Sequence, residues 1–206
     1  MAMSSPFADL LALHRTAVLA SVDVVNTVGT SDLNRETPCT GWNLGDLLAH
    51  MTVQHRGFAA AAHGAGGDLA IWNPDTVRNV VVSDPAGAYA DAAQAVLDAF
   101  ANANPQFSLP ELGANFPAEA AVGFHFIDYV VHGWDVAATM GLPYSLPDNL
   151  TETALGVAQI VPDGEFRTMA NAPFGPVQNG AATNDFERLL RHLGRNPEWK
   201  PQADPS

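Results

Sequence analysis

"AEAAVGFHFIDYVVHGWDVAATMG", residues 118–141, is the stretch that decides the fold. It is mostly apolar over roughly six helical turns, and alanines, which favour helices, open it. Gly141 ends the pattern and Pro143 follows two residues later, an arrangement typical of a helix C-terminus. The stretch therefore predicts one long helix whose apolar sides are covered by neighbouring segments.

The polar residues of this helix lie on one stripe. At about 100° per residue, with His125 set at zero, Asp128 falls at about −60° and His132 at about −20°. Asp135 falls at about −80° and Thr139 at about −40° by the same arithmetic. A stripe on the protein surface would usually contain lysine or glutamate, and this one has neither. We expect it to line the interior of a helical bundle, where metal sites are often built.

Helix signals dominate the rest of the chain. Ser5 with Pro6, Asn43 and Asp84 are each placed to begin a long helix. The predicted fold class is all-α. Residues 1–145 are expected to form an up-and-down four-helix bundle, and residues 146–206 a C-terminal helical extension. Together they form a single domain, 1–206. Further helices are expected within residues 146–161 and 183–194, the last capped by Thr183. Residues 79–84 fit a short strand or a loop, and residues 104–117 resemble a loop.

The charge balance excludes several classes of function. Nine Lys and Arg stand against 22 Asp and Glu, a formal charge of −13 that repels nucleic-acid backbones. No basic cluster suggests a membrane surface, and no apolar run reaches the ~18 residues of a spanning helix. The N-terminus lacks the features of a secretory signal, so a cytoplasmic location is expected. Cys39 is the single cysteine, and it is expected to be a small buried residue with no catalytic base beside it.

The polar stripe indicates a metal site. Asp128 and His132 stand four residues apart, so their side chains can converge on one ion. Such nitrogen and oxygen ligands suit Zn²⁺, Ni²⁺, Mn²⁺ or Fe²⁺. A third ligand should come from another helix, and His50 or His55 of the second helix could supply it. From the residues alone, a hydrogen-bonded structural pair at Asp128 and His132 and a structural role for His50 stay open.

The other polar residues allow several roles. His125 fits either a ligand or a hydrogen-bonded neighbour, and Asp135 fits a cap, a solvent-facing residue or a group that orients a histidine. Both are also candidate proton carriers. The remaining histidines are expected to face solvent: His14, His63 and His192. Phosphate-binding, dinucleotide-binding and nucleophile-elbow motifs do not occur, so metal chemistry is the reaction type that the residues favour.

Three segments carry a resemblance to a known family. "TPCTGWNLGDLLAHM" and "DYVVHGWDVAATMG" resemble two metal-bearing segments of the DinB-like superfamily, in its mycothiol-dependent maleylpyruvate isomerase branch. "FGPVQNGAATNDFERLLRHLGRNPEW" resembles the C-terminal segment of small members of that branch. The resemblance implies a four-helix bundle with a divalent metal held by His50, Asp128 and His132. Superfamily members commonly have histidine or glutamate where this chain has the shorter Asp128.

The resemblance also implies a class of reaction. Similar proteins include isomerases and transferases in which a metal, zinc or nickel, activates a low-molecular-weight thiol. We therefore expect a divalent-metal-dependent enzyme that acts on a small-molecule substrate, with a thiol-dependent isomerase or transferase as one form of this chemistry. The chain could form a homodimer. The alternative is a bundle that binds metal or a small ligand without catalysis. Because the extension is short, maleylpyruvate isomerization itself is not assigned to this chain.

Overall fold

The computed structural model describes residues 5–169 and 172–201. The helices in these residues are α1 (Pro6–Val25), α2 (Leu44–Ala62), α3 (Asp75–Ser83), α4 (Pro85–Ala101), α5 (Ala118–Met140), α6 (Asp148–Ala158) and α7 (Asp185–His192). Between α4 and α5, β1 (Gln106–Leu109) and β2 (Ala114–Pro117) form an antiparallel hairpin. None of the described helices has the length and apolarity needed to cross a membrane. The all-α prediction is confirmed.

Local capping chemistry explains where the long helices begin and end. The Ser5 hydroxyl accepts a hydrogen bond from the first turn of α1, and Asn43 forms a reciprocal capping box with Asp46 at the start of α2. The Asp84 side chain accepts from the backbone N–H of Gly87 at the start of α4. Gly141 takes the left-handed conformation, φ 69°, that ends α5. These predicted boundaries are therefore confirmed.

Three local predictions are wrong. Residues 79–83 belong to α3 and form neither a strand nor a loop, because Val77 and Val81, one helical turn apart, are both buried. Residues 104–117 are not a plain loop, since they contain the hairpin of β1 and β2. Asn184, not Thr183, caps α7, because its side chain accepts from the backbone N–H of Glu187.

The bundle is built from α1, α2, α4 and α5. Helix α1 packs on α5 and α4, and α2 packs on the same two helices. His14 contacts His125 and Ser21 lies against Gly133, so α1 and α5 run in the same direction. His55 contacts His125 while His50 lies near Asp128, so α2 runs opposite to α5. This arrangement places the N-terminal half of α2 beside the C-terminal half of α5.

Helices α6 and α7 cover the outer side of α5. Leu150 of α6 and Leu189 of α7 are fully buried in one cluster with Phe126 and Val130 of α5. Helix α5 is therefore covered both by bundle helices and by the C-terminal segment. This double cover explains why α5 is apolar on most of its circumference.

Candidate metal centre

Helices α2 and α5 bring His50, Asp128 and His132 together. Nε2 of His132 lies 3.3 Å from Oδ1 of Asp128, and Nε2 of His50 lies 3.9 Å from Oδ2 of the same carboxylate. One donor atom from each of the three residues lies within 4.8 Å of the others. Asp128 and His132 meet because they are one helical turn apart, and His50 joins them because α2 runs antiparallel to α5.

These donors fit a divalent ion. Two ligands, each about 2.0–2.1 Å from a tetrahedral zinc ion, are separated by roughly 3.3 Å. The separation of His132 from Asp128 agrees with this value, and that of His50 from Asp128 is a little larger. Burial lowers the pKa of His50 to about 4, which leaves its imidazole neutral at pH 7. A neutral imidazole has the lone pair that a metal ion requires. Burial lowers the pKa of His132, but Asp128 and Asp135 outweigh burial and raise it, so this imidazole must release its Nε2 proton when it binds a metal ion.

The centre opens to one side. His132 is buried, but the side chains of His50 and Asp128 retain 23% and 21% of their exposure. The ring of Trp42 lies 4.9 Å from the ring of His50, and Trp42 is itself 38% exposed. The centre is therefore partly open to solvent on the side of His50, Asp128 and Trp42.

Asp135 orients His132. Its Oδ2 lies 2.9 Å from Nδ1 of His132, and the carboxylate is fully buried. A carboxylate only accepts hydrogen bonds, so Nδ1 of His132 carries the proton and Nε2 faces Asp128. Carboxylates commonly hold metal-binding histidines in this way. Among the roles that the sequence leaves open for Asp135, the geometry favours orienting a histidine over capping or facing solvent.

Arg195 and Cys39 complete the surroundings of Asp135, and sequence reasoning missed both contacts. The Arg195 guanidinium donates to both carboxylate oxygens of Asp135, at 2.9 and 3.2 Å. Burial raises the pKa of Asp135, but Arg195 and His132 together outweigh burial and hold that pKa well below its usual range. Arg195 belongs to the C-terminal segment on which the family resemblance rests, but no local pattern pairs it with a residue 60 positions away.

Cys39 lies beside the same carboxylate. Its Sγ is 3.1 Å from Oδ2 of Asp135 and 3.9 Å from Nδ1 of His132, so the expectation that nothing resembling a base lies beside it is wrong. The side chain is partly buried. Burial, followed by the charge of Asp135, raises the pKa of the thiol. Cys39 is consequently a protonated hydrogen-bond donor at neutral pH and a poor nucleophile.

A second set of donor atoms, from Cys39, His132 and Asp135, is also close enough to hold an ion. The Arg195 guanidinium occupies this position with its positive charge, since it donates to Asp135 at 2.9 Å and to Cys39 at 3.2 Å. A metal ion there would have to displace a buried, paired cation. The geometry therefore favours His50, Asp128 and His132 as the metal ligands.

His125 lies in a separate cluster of buried histidines. Its Nδ1 is 2.8 Å from Nε2 of His14, and its Nε2 is 3.1 Å from Nδ1 of His55. The expectation that His14 faces solvent is wrong, because the residue is 1% exposed. His55, the alternative third ligand, points into this cluster and stacks on Tyr129. Both nitrogens of His125 are thus engaged by other histidines and not by the three metal-site residues.

Comparisons with known proteins identify relatives of this chain. A family model described as the mycothiol maleylpyruvate isomerase N-terminal domain matches residues 14–137. Two uncharacterized proteins of Mycobacterium tuberculosis, from strains CDC 1551 and H37Rv, are each 27% identical over 163 residues. The matched part covers 77% of this chain and 82% of each relative.

Solved structures share the fold. The crystal structure of mycothiol-dependent maleylpyruvate isomerase has a TM-score of 0.60 at 15% identity, covering 94% of this chain and 91% of that one. The structure of a single-substitution mutant of that enzyme has a TM-score of 0.64 at 14% identity, covering 93% and 90%. At such low identity, these likenesses establish a shared fold for the chain.

Proposed function

The chain belongs to the mycothiol maleylpyruvate isomerase N-terminal domain family, and on this premise we propose that it is a divalent-metal-dependent enzyme. It would use a low-molecular-weight thiol on a small organic substrate, in an isomerase or transferase reaction. His50, Asp128 and His132 would hold the ion, with zinc as the preferred metal and nickel as an alternative. The name of the family supports the use of a thiol, and the convergence of the three donors supports the metal.

One observation carries this proposal: three donors converge while the centre stays open on one side. A structural zinc site commonly has four protein ligands, whereas a catalytic site has three and leaves a position for water or substrate. The partial exposure of His50 and Asp128 provides that access. The three donors therefore resemble a catalytic site more than a structural one.

The charges of the site suit an anionic thiol. When bound, a divalent ion acts as a Lewis acid and favours the thiolate form of a coordinated thiol. Asp128 contributes one negative charge to the ligand set, and the nearby charges of Asp135 and Arg195 compensate each other. A dipositive ion held by one carboxylate leaves a net positive centre, which attracts thiolates and carboxylates.

The surrounding residues support the ligands. We propose that Asp135 positions His132 instead of carrying protons, because it is fully buried and its oxygens accept from Arg195 and His132. We assign His125 a structural role in place of proton transfer to substrate. The residue is fully buried between His14 and His55, so a substrate at the metal centre does not reach its ring.

Metal content tests the first part of the proposal. We expect the wild-type protein, purified without added metal, to contain close to one divalent ion per chain by elemental analysis. His132→Ala should lose most of it, while His63→Ala, which removes an exposed histidine, should keep it. The ligand assignment is refuted if His50→Ala and His132→Ala both retain full metal content.

Thiol chemistry tests the second part. The metal-loaded protein is incubated with mycothiol and maleylpyruvate, and adduct or isomer formation is followed by chromatography, with other electrophiles tried in turn. We expect turnover that disappears on chelation and in a folded His132→Ala variant. A structural metal would give a different result: the protein would contain a stoichiometric ion but show no thiol-dependent turnover, and His132→Ala would have a much lower melting temperature.

A further inference from the structure

We propose that Arg195 is a positioning residue of the metal centre: it clamps Asp135 so that Asp135 holds the imidazole of His132 toward the ion. This inference rests on the proposed function, because it concerns the same site. Arg195 lies outside residues 14–137, the part matched by the family model. The segment that follows α7 would therefore contribute a residue to the metal centre.

Hydrogen bonds fix all three nitrogens of the Arg195 guanidinium. Nε donates to Oδ1 and Oδ2 of Asp135, each at 3.2 Å, and Nη2 donates to Oδ2 at 2.9 Å. Nη1 donates to the carbonyl of Leu193 at 3.1 Å, and Nη2 also donates to Sγ of Cys39 at 3.2 Å. The planar fork thus ties the C-terminal segment to α5 with charge-assisted hydrogen bonds.

Asp135 depends on this clamp. The residue is fully buried, and a buried carboxylate without a compensating charge is strongly destabilising. Without Arg195, the Asp135 carboxylate would lose three donated hydrogen bonds and would turn toward other donors. That movement displaces Oδ2, which lies 2.9 Å from Nδ1 of His132. The imidazole would then lose the hydrogen bond that keeps its Nε2 directed at Asp128.

Charge and positioning predict opposite outcomes for a variant. Arg195 is a cation near the proposed ion, so its removal would raise metal affinity if long-range charge were its main effect. If Arg195 instead positions His132 through Asp135, its removal lowers the affinity. Mutations of groups that orient metal ligands typically weaken binding about 10–100-fold. The sign of the change therefore separates the two roles.

Zinc affinity is measured on the full chain by competition with a chromophoric chelator. We expect Arg195→Met to bind zinc about 10–100-fold more weakly than wild type. Arg195→Lys, which keeps the charge but loses the planar fork, should recover part of that affinity. Arg188→Met is the matched control, because Arg188 is an exposed arginine of α7 that pairs with Asp185 on the same helix, and this variant should bind zinc like wild type.

The hydrogen bond itself gives an independent readout. In ¹⁵N-histidine-labelled protein without metal, the Nδ1 proton of His132 should appear at low field, protected from exchange by Asp135. We expect it to shift or broaden in Arg195→Met and Arg195→Lys, and not in Arg188→Met. If wild type binds no zinc, the proposed function fails, but this resonance still tests the clamp.

Two results would overturn the inference. One is an Nδ1 resonance that stays at its wild-type position in both Arg195 variants. The other is a zinc affinity that is unchanged or higher in Arg195→Met. If Arg195→Met does not fold, Arg195→Lys decides the question: a measurable loss of affinity together with a shifted resonance supports the clamp, and wild-type values in both measurements refute it.

Discussion

Acidification should destabilise the metal-free protein through its buried histidines. Burial lowers the pKa of His14 to about 3, and burial followed by the neighbouring histidines lowers the pKa values of His55 and His125 well below the usual value of 6.5. His14 is therefore neutral in the folded protein at pH 5, and His55 and His125 take up protons less readily than in the unfolded chain, whose histidines become protonated below about pH 6.5. A histidine whose pKa is lower in the folded protein than in the unfolded chain therefore reduces the free energy of unfolding as the pH falls through this range.

The magnitude follows from the pKa values. The unfolded chain's histidines have a pKa near 6.5, so pH 5 lies about 1.5 units below it. At about 1.36 kcal/mol per unit, His14 alone lowers the free energy of unfolding at pH 5 by about 2 kcal/mol. His55 and His125, whose pKa values are lowered in the same direction, add to this cost. Asp128 and Asp135 have lowered pKa values, so their contributions are lost only below about pH 4.

Urea denaturation in the presence of a chelator measures this effect at pH 7.5, 6 and 5. Between pH 7.5 and 5, His14→Gln should lose about 2 kcal/mol less than wild type, whatever its stability at neutral pH. His63→Gln, which removes an exposed histidine, should keep the wild-type pH dependence. The reasoning is refuted if wild-type stability is constant over this range, or if His14→Gln loses as much as wild type.

Two further predictions follow from the packing. Gly57→Ala should lower the free energy of unfolding by about 1–3 kcal/mol, because its Cβ would lie 2.5 Å from the ring of Trp72. Thermal melts would show this, and Gly156→Ala, which meets no heavy atom within 4 Å, should be neutral or slightly stabilising. Binding of Co²⁺ should quench the fluorescence of Trp42, whose ring lies 4.9 Å from that of His50. Most of this quenching should vanish in Trp42→Phe. Equal quenching in that variant would contradict a metal site beside Trp42.

Local sequence signals predicted the long helices because helix boundaries depend on neighbouring residues. The caps at Asn43 and Asp84 and the helix end at Gly141 act within one turn, so a single segment contains all of the information. The polar stripe of α5 follows equally from helical periodicity. These features require no knowledge of how the helices pack.

Other features depended on packing. Residues 79–83 contain three consecutive valines, which are β-branched and favour strands, yet burial of Val77 and Val81 on one helical face outweighs that preference. The position of His14 depends on which face α1 turns toward α5, and its partner His125 is 111 residues away. Propensity describes one segment at a time and cannot contain such pairings.

By itself, the sequence determined an all-α chain that carries carboxylate and imidazole groups on the interior stripe of one long helix. Only the tertiary structure decided which groups meet. The antiparallel contact of α2 with α5 places His50 beside Asp128, and the C-terminal segment places Arg195 on Asp135, 60 residues away. The physical reason is that periodicity is local, whereas a buried charge must find a partner wherever the packed helices place one.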